Sequence, residues 1–172
     1  FDQPGPDQVY QETICMTDKA TKILTPSFVT RQEQRIIGMT RRISPATLSL
    51  IPQLWKDAIN ELGNAMQGIP NYGACFDFDR GSFTYLVGIA DDGRFDTERL
   101  DHLILPARNY AVFNHEDHIS CLNETWRFIL EEWLPDADVV ATREPEFELY
   151  TPDFDPATPG GVSIWIPVVP KG

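Results

Sequence analysis

Apolar and polar positions change period along the chain, and the changes mark the elements. Phe28 to Ile43 is β-like, centred on Ile36-Ile-Gly-Met39. From Pro52 to Met66 the period lengthens: Ile51, Leu54, Trp55, Ala58, Ile59 and Leu62 recur every three or four residues. This is the stripe of a helix with one buried face, and Pro52 suits its first turn. Gly68-Ile-Pro-Asn71 stops it. Tyr72 to Asp79 and Ser82 to Asp91 read as two strands around a tight turn at Asp79-Arg80-Gly81, followed by a charged loop to Arg99. The order then repeats. His102 to Phe113 predicts a strand bent at Pro106-Ala-Arg-Asn109. Ile119 to Trp133 predicts a second helix with Ile119, Leu122, Trp126, Ile129, Leu130 and Trp133 on one face, ended by Pro135. Glu146 to Tyr150 and Val162 to Val169 are the last strands.

The expected fold class is α+β: a duplicated strand–helix–strand–strand module, with two antiparallel sheets and a helix each around a central ligand cleft. Half-modules span about 27–92 and 100–170 within a domain covering 27–172. Residues 1–26 are polar and proline-punctuated and read as an extension or linker. The spacing of the two helices is too long for a solenoid period.

Glu148 sits in the middle of the strand Glu146 to Tyr150, near the end of this pattern. Period-two alternation puts Phe147 and Leu149 on one face and Glu148 and Tyr150 on the other. An isolated buried carboxylate is costly without a donor or a cation, and no lysine or arginine in the sequence is an obvious partner. A wet sheet edge is the plainer alternative.

Charge narrows the partners. The formal net charge is −12, whereas phosphate contacts need clustered Lys and Arg, so no direct nucleic-acid binding by this chain is expected. Such a field suits cationic or neutral ligands, or simply keeps the protein soluble. Cys15, Cys75 and Cys121 are odd in number and lack C-x-x-C spacing, which suggests reduced thiols in a cytoplasmic protein. No apolar run reaches the ~18 residues of a membrane-crossing helix. The chain opens at Phe1, with Met16 a candidate start.

At this point the residues resemble a known family. Arg35-Ile-Ile-Gly38, Ile51-Pro-x-Leu-Trp55, Asn71-Tyr-Gly73, Phe83-Thr-Tyr-Leu-Val-Gly88, Ala107-Arg-Asn-Tyr-Ala-Val-Phe113, Phe147-Glu-Leu-Tyr150 and Ile164-Trp-Ile-Pro167 resemble, in order and spacing, the gyrase-inhibitor-like, AraC-type effector-binding domain. The match covers roughly residues 27–170. The resemblance implies paired strand–helix–strand–strand modules. In multidrug-sensing members it implies a central aromatic pocket with one acidic residue that receives lipophilic cations, here at the position of Glu148. Unlike the regulator members, the chain carries no helix-turn-helix ahead of the domain, and residues 1–26 are too short and polar for one.

The expected ligand site therefore comprises Glu148 with Tyr72, Tyr85, Tyr110 and Tyr150, which offer ring faces to a cation and hydroxyls to a polar partner, together with Trp55 and Trp165. Trp55 fits plain core about as well, and Trp126 is read as core. His115, His118 and Cys121 lack a fourth ligand for a structural zinc site and are read as the start of the second helix. No metal or cofactor is expected, and neither a nucleophile elbow nor a phosphate loop occurs. The reading is a binding module for a small lipophilic cationic ligand rather than an enzyme. The alternatives are a hydrolase of strained cyclopropane-containing toxins, with Glu148 as base, or an acidic protein-binding inhibitor.

Overall fold

The structure, a computed structural model, describes residues 24–172. Most of the N-terminal extension, and Cys15 with it, lies outside the described residues. The strands are β1 (Ser27–Arg31), β2 (Gln34–Ile43), β3 (Asn71–Asp79), β4 (Ser82–Ala90), β5 (Asp101–Leu105), β6 (Arg108–His115), β7 (Val139–Ala141), β8 (Glu146–Tyr150) and β9 (Val162–Pro170). The helices are α1 (Ile51–Leu62) and α2 (Leu122–Arg127). The latter continues through a wider π-helical stretch, Phe128–Trp133, into a last turn, α3 (Leu134–Asp136). Among the described residues no helix is long and apolar enough to cross a membrane.

The strands form one nine-stranded sheet in the order β1-β6-β9-β8-β3-β4-β2-β5, with β7 beside β9. Every pairing is antiparallel. The order is nearly palindromic about the β8–β3 pair, as the duplicated sequence pattern requires. The β3–β4 hairpin turns through Arg80 and Gly81, both at positive φ, which matches the right-handed twist of the strands it joins.

Two features depart from the sequence-based expectation. The two halves are not separate sheets, because β3 and β8 pair through Asn71↔Tyr150, Gly73↔Glu148 and Cys75↔Glu146. The halves also exchange their first strands. β1 adds to β6 of the second half, and β5 adds to β2 of the first. The run Phe28–Ile43 and the bent run His102–Phe113 are each two strands that diverge to opposite halves. Only Pro106 and Ala107 link β5, at one margin, to β6, next to the other margin, so the sheet has to be rolled.

Rolling explains why both faces are packed. On one face Leu54 and Ala58 of α1 pack on Ile37, Ile43, Val87 and Ile89. The second helix packs Leu122 and Ile129 on Ala111, Phe113, Ile164 and Ile166. Inside the roll a third cluster gathers Ile36, Leu86, Leu105, Tyr110, Val112 and Phe147.

Candidate ligand site around Glu148

β8 lies between β3 and β9, with Glu148 opposite Gly73 on one side and Ile164 on the other. Strand alternation sends Glu146, Glu148 and Tyr150 to the helix-covered face, and Phe147 and Leu149 into the roll. Glu148 is only 6% exposed. Its Oε2 accepts hydrogen bonds from the Tyr85 hydroxyl at 2.9 Å and the Tyr150 hydroxyl at 2.7 Å. Its Oε1 accepts from the Trp126 indole N–H at 2.9 Å. The Trp55 indole N–H donates to the Tyr85 hydroxyl at 3.3 Å, and the Trp55 ring meets Tyr150 edge-on at 4.7 Å. One indole comes from each helix, and both converge on the centre of the sheet.

Gly73 makes this possible. A Cβ there would lie 2.1 Å from the Tyr85 hydroxyl and 3.0 Å from Oε2 of Glu148. Any side chain at position 73 would push Tyr85 off the carboxylate.

Glu148 is therefore a buried carboxylate met by three neutral donors, and among the described residues no lysine or arginine pairs with it. Burial raises its carboxyl above the usual glutamate range, opposed by the hydrogen bonds from Tyr150, Trp126 and Tyr85. Tyr85 and Tyr150 are pushed well above the ordinary tyrosine value by burial and then by Glu148, so they remain donors. Two residues before, burial pushes Glu146 up to about 7.

This fixes a pH dependence. A carboxyl held high in the fold contributes stability that is complete below its unfolded value, near 4.5, and is lost as pH rises through its folded value. Glu146 and Glu148 act in this sense. Glu144 and Asp92, held low by Arg108 and Arg94, act oppositely, but only below their ordinary values. Unfolding free energy is expected to decline from about pH 5 to about pH 8, and Glu146→Gln should flatten part of that decline. Denaturant unfolding across the range checks this; parallel curves for the two proteins would remove Glu146 as a cause.

Of the seven residues expected at the site, Glu148, Tyr85, Tyr150 and Trp55 come together. Tyr72, Tyr110 and Trp165 do not; they face into the roll, on the opposite side of the sheet. There Trp165 stacks on Phe147 at 5.4 Å, and Tyr110 meets both rings edge-on. The Arg31 guanidinium lies over Phe147, Trp165 and Tyr72, at 5.2, 5.3 and 5.4 Å from their centroids, and donates to the Tyr72 hydroxyl. The physical reason is register: Trp165 stands opposite Phe147, and Tyr72 opposite Leu149. Trp126, read as core, belongs beside Glu148 instead. His115 and His118 lie before the second helix. Both ring nitrogens of His115 are engaged, with Thr125 Oγ1 at 2.8 Å and the His118 carbonyl at 2.9 Å.

Both carboxylate oxygens of Glu148 already accept from its three neutral donors. A surface depression of about 390 Å³ lined by Leu62, Phe95 and Leu100 does not reach them. A buried acid thus meets two tyrosines and a tryptophan on a duplicated module. The GyrI-like small molecule binding domain matches residues 24–169. This chain belongs to that family.

Solved structures agree on the fold of this GyrI-like domain. SAV2435 bound to tetraphenylphosphonium has a TM-score of 0.68 at 18% identity, covering 84% of this chain and 93% of that one. A putative bacterial transcription regulation protein from Staphylococcus aureus MU50 has a TM-score of 0.67 at 17% identity, covering 87% and 99%. The EcmrR C-terminal domain has a TM-score of 0.58 at 12% identity, covering 87% and 99%. No curated protein matches the chain.

Proposed function

We propose that this GyrI-like domain captures lipophilic organic cations at Glu148, and that Trp55, Tyr85, Trp126 and Tyr150 enclose them. The observation that carries this reading is a carboxylate buried at the centre of the sheet with only neutral donors around it. A ligand cation supplies the charge those donors lack. Ring faces contribute roughly 0.5–2 kcal/mol each to a desolvated cation, and the apolar body of the ligand is driven in by burial. Both carboxylate oxygens already hold donors, and any donor that a ligand displaces costs affinity. The tetraphenylphosphonium held by the structural neighbour supports the choice of ligand class. The net charge of −12 favours cations and weighs against nucleic acid as a partner.

Titration calorimetry with tetraphenylphosphonium tests the proposal. A micromolar Kd is expected. Triphenylphosphine oxide, a neutral relative, should bind at least tenfold more weakly. Equal affinities, or no binding of the cation at all, would overturn the reading.

A further inference from the structure

We infer that His115 is a positioning residue for the ligand site: through a buried hydrogen bond with Thr125 it sets where Trp126, the next residue, presents its indole N–H to Glu148. This rests on the reading of Glu148 above and adds a residue that makes no hydrogen bond to the carboxylate itself.

His115 ends β6, opposite Val162 of β9, and both it and Thr125 on α2 are buried. Their side chains meet at 2.8 Å. The other ring nitrogen settles the direction of that bond. Nε2 lies 2.9 Å from the His118 carbonyl oxygen, which can only accept, so Nε2 carries the hydrogen. In the neutral ring Nδ1 is then an acceptor, and the Thr125 hydroxyl donates to it. Strand and helix are joined where water does not compete. Trp126 needs such a tie because its helix is short. α2 holds six residues before it widens into the π-helical stretch Phe128–Trp133. Leu122 and Ile129 pack on the sheet, but apolar packing has no direction and leaves the rotation of the helix loosely set. The indole N–H, by contrast, must meet Oε1 of Glu148 at 2.9 Å.

The first half of the duplication supplies the contrast. Gly73 stands against Val87 and Val87 against Met39, as Glu148 stands against Ile164 and Ile164 against Phe113. Two residues further along each strand, Arg41 therefore corresponds to His115. Arg41 also ties strand to helix, through Asp57 at 3.2 Å, but these side chains are 34% and 31% exposed. The helix it holds, α1, runs regularly for twelve residues, and its indole, Trp55, reaches Tyr85 rather than the acid. Where the indole meets the carboxylate itself, the tie is buried.

A double-mutant cycle, read by calorimetry with tetraphenylphosphonium, tests this. Thr125→Val keeps the shape of the side chain and removes its hydroxyl. It should weaken binding about fivefold, the scale of coupling within one hydrogen-bond network. Thr125→Ser, which keeps the hydroxyl, should stay within about twofold of the wild-type chain. Trp126→Phe takes away the indole N–H. In that background Thr125→Val should change affinity by less than about twofold, because the group it positions is gone. A role confined to holding the fold would carry the same loss into both backgrounds. Equal losses in the two backgrounds, or an unchanged affinity in Thr125→Val, overturn the inference. Should Thr125→Val fail to fold, His115→Gln makes the same comparison from the strand side, with the same losses expected. If tetraphenylphosphonium binds the wild-type chain and the cycle fails, the Glu148 reading stands and only the role of His115 falls. If it does not bind the wild-type chain, both fall together.

Discussion

Glu148→Gln is expected to weaken tetraphenylphosphonium binding by tenfold or more, while triphenylphosphine oxide changes far less. The amide keeps the size of the side chain and removes its charge. A buried charge partner lost from a complex is worth at least ~1.4 kcal/mol, which is a factor of ten in Kd. The side chain is enclosed, so solvent does little to screen the attraction. The substitution should not unfold the apo protein. A neutral amide is cheaper to bury than a carboxylate whose ionisation burial already disfavours. The two tyrosine hydroxyls can also turn to accept from the new N–H groups. Calorimetry on both ligands is the check. Equal losses would mean that Glu148 shapes the cavity without reading charge.

The adjacent residue should behave in the opposite way. Phe147→Ala is expected to cost about 3–5 kcal/mol of stability, the range for truncating a fully buried phenylalanine. Its ring touches Trp165, Tyr110 and Tyr72, with centroids 5.4 to 5.7 Å away, and carries the Arg31 guanidinium at 5.2 Å. Removing it leaves a cavity inside the roll and takes a ring from beneath a cation. Urea unfolding measures the loss. The folded fraction should keep most of its affinity for tetraphenylphosphonium, because Phe147 points away from the helix-covered face. A loss under about 1 kcal/mol would mean that the roll collapses to fill the gap.

The contrast between these neighbours was readable from period two alone, since β8 pairs on both sides without a bulge. The helix stripes were plain in part: Leu54 and Ala58 are buried as their spacing requires, but Ile59 and Leu130, assigned to the same faces, are exposed because only a narrow strip of each helix touches the sheet. Register between strands was not readable. Alternation places Trp165 opposite in face to Ile164, but it does not say which face carries Glu148. In a flat sheet with one wet face, burial would have decided the matter. Here both faces are buried because the sheet rolls, so Tyr72, Tyr110 and Trp165 carry the same aromatic signal as Tyr85 and Tyr150. The strand exchange was hidden for a related reason. Gln32-Glu33 and Pro106-Ala107 look like bends within one strand, and only long-range pairing reveals that β1 and β5 leave for the other half. Trp126 was missed because one helical stripe serves both the core and the site. β7, at three residues, is too short for any period to register.

The four tryptophans are divided between environments, and this gives the protein an optical signature. Trp55 and Trp126 point their indole N–H groups toward Glu148, through Tyr85 and directly. Trp133 packs edge-on against Phe113 at 4.9 Å, along the second helix. Trp165 lies across the sheet, under the permanent charge of Arg31. A quenching ligand seated at Glu148 contacts the first two indoles and is screened from Trp165 by the sheet. Saturation should therefore leave residual emission, and Trp165→Phe should lower that residue without changing the ligand-dependent part.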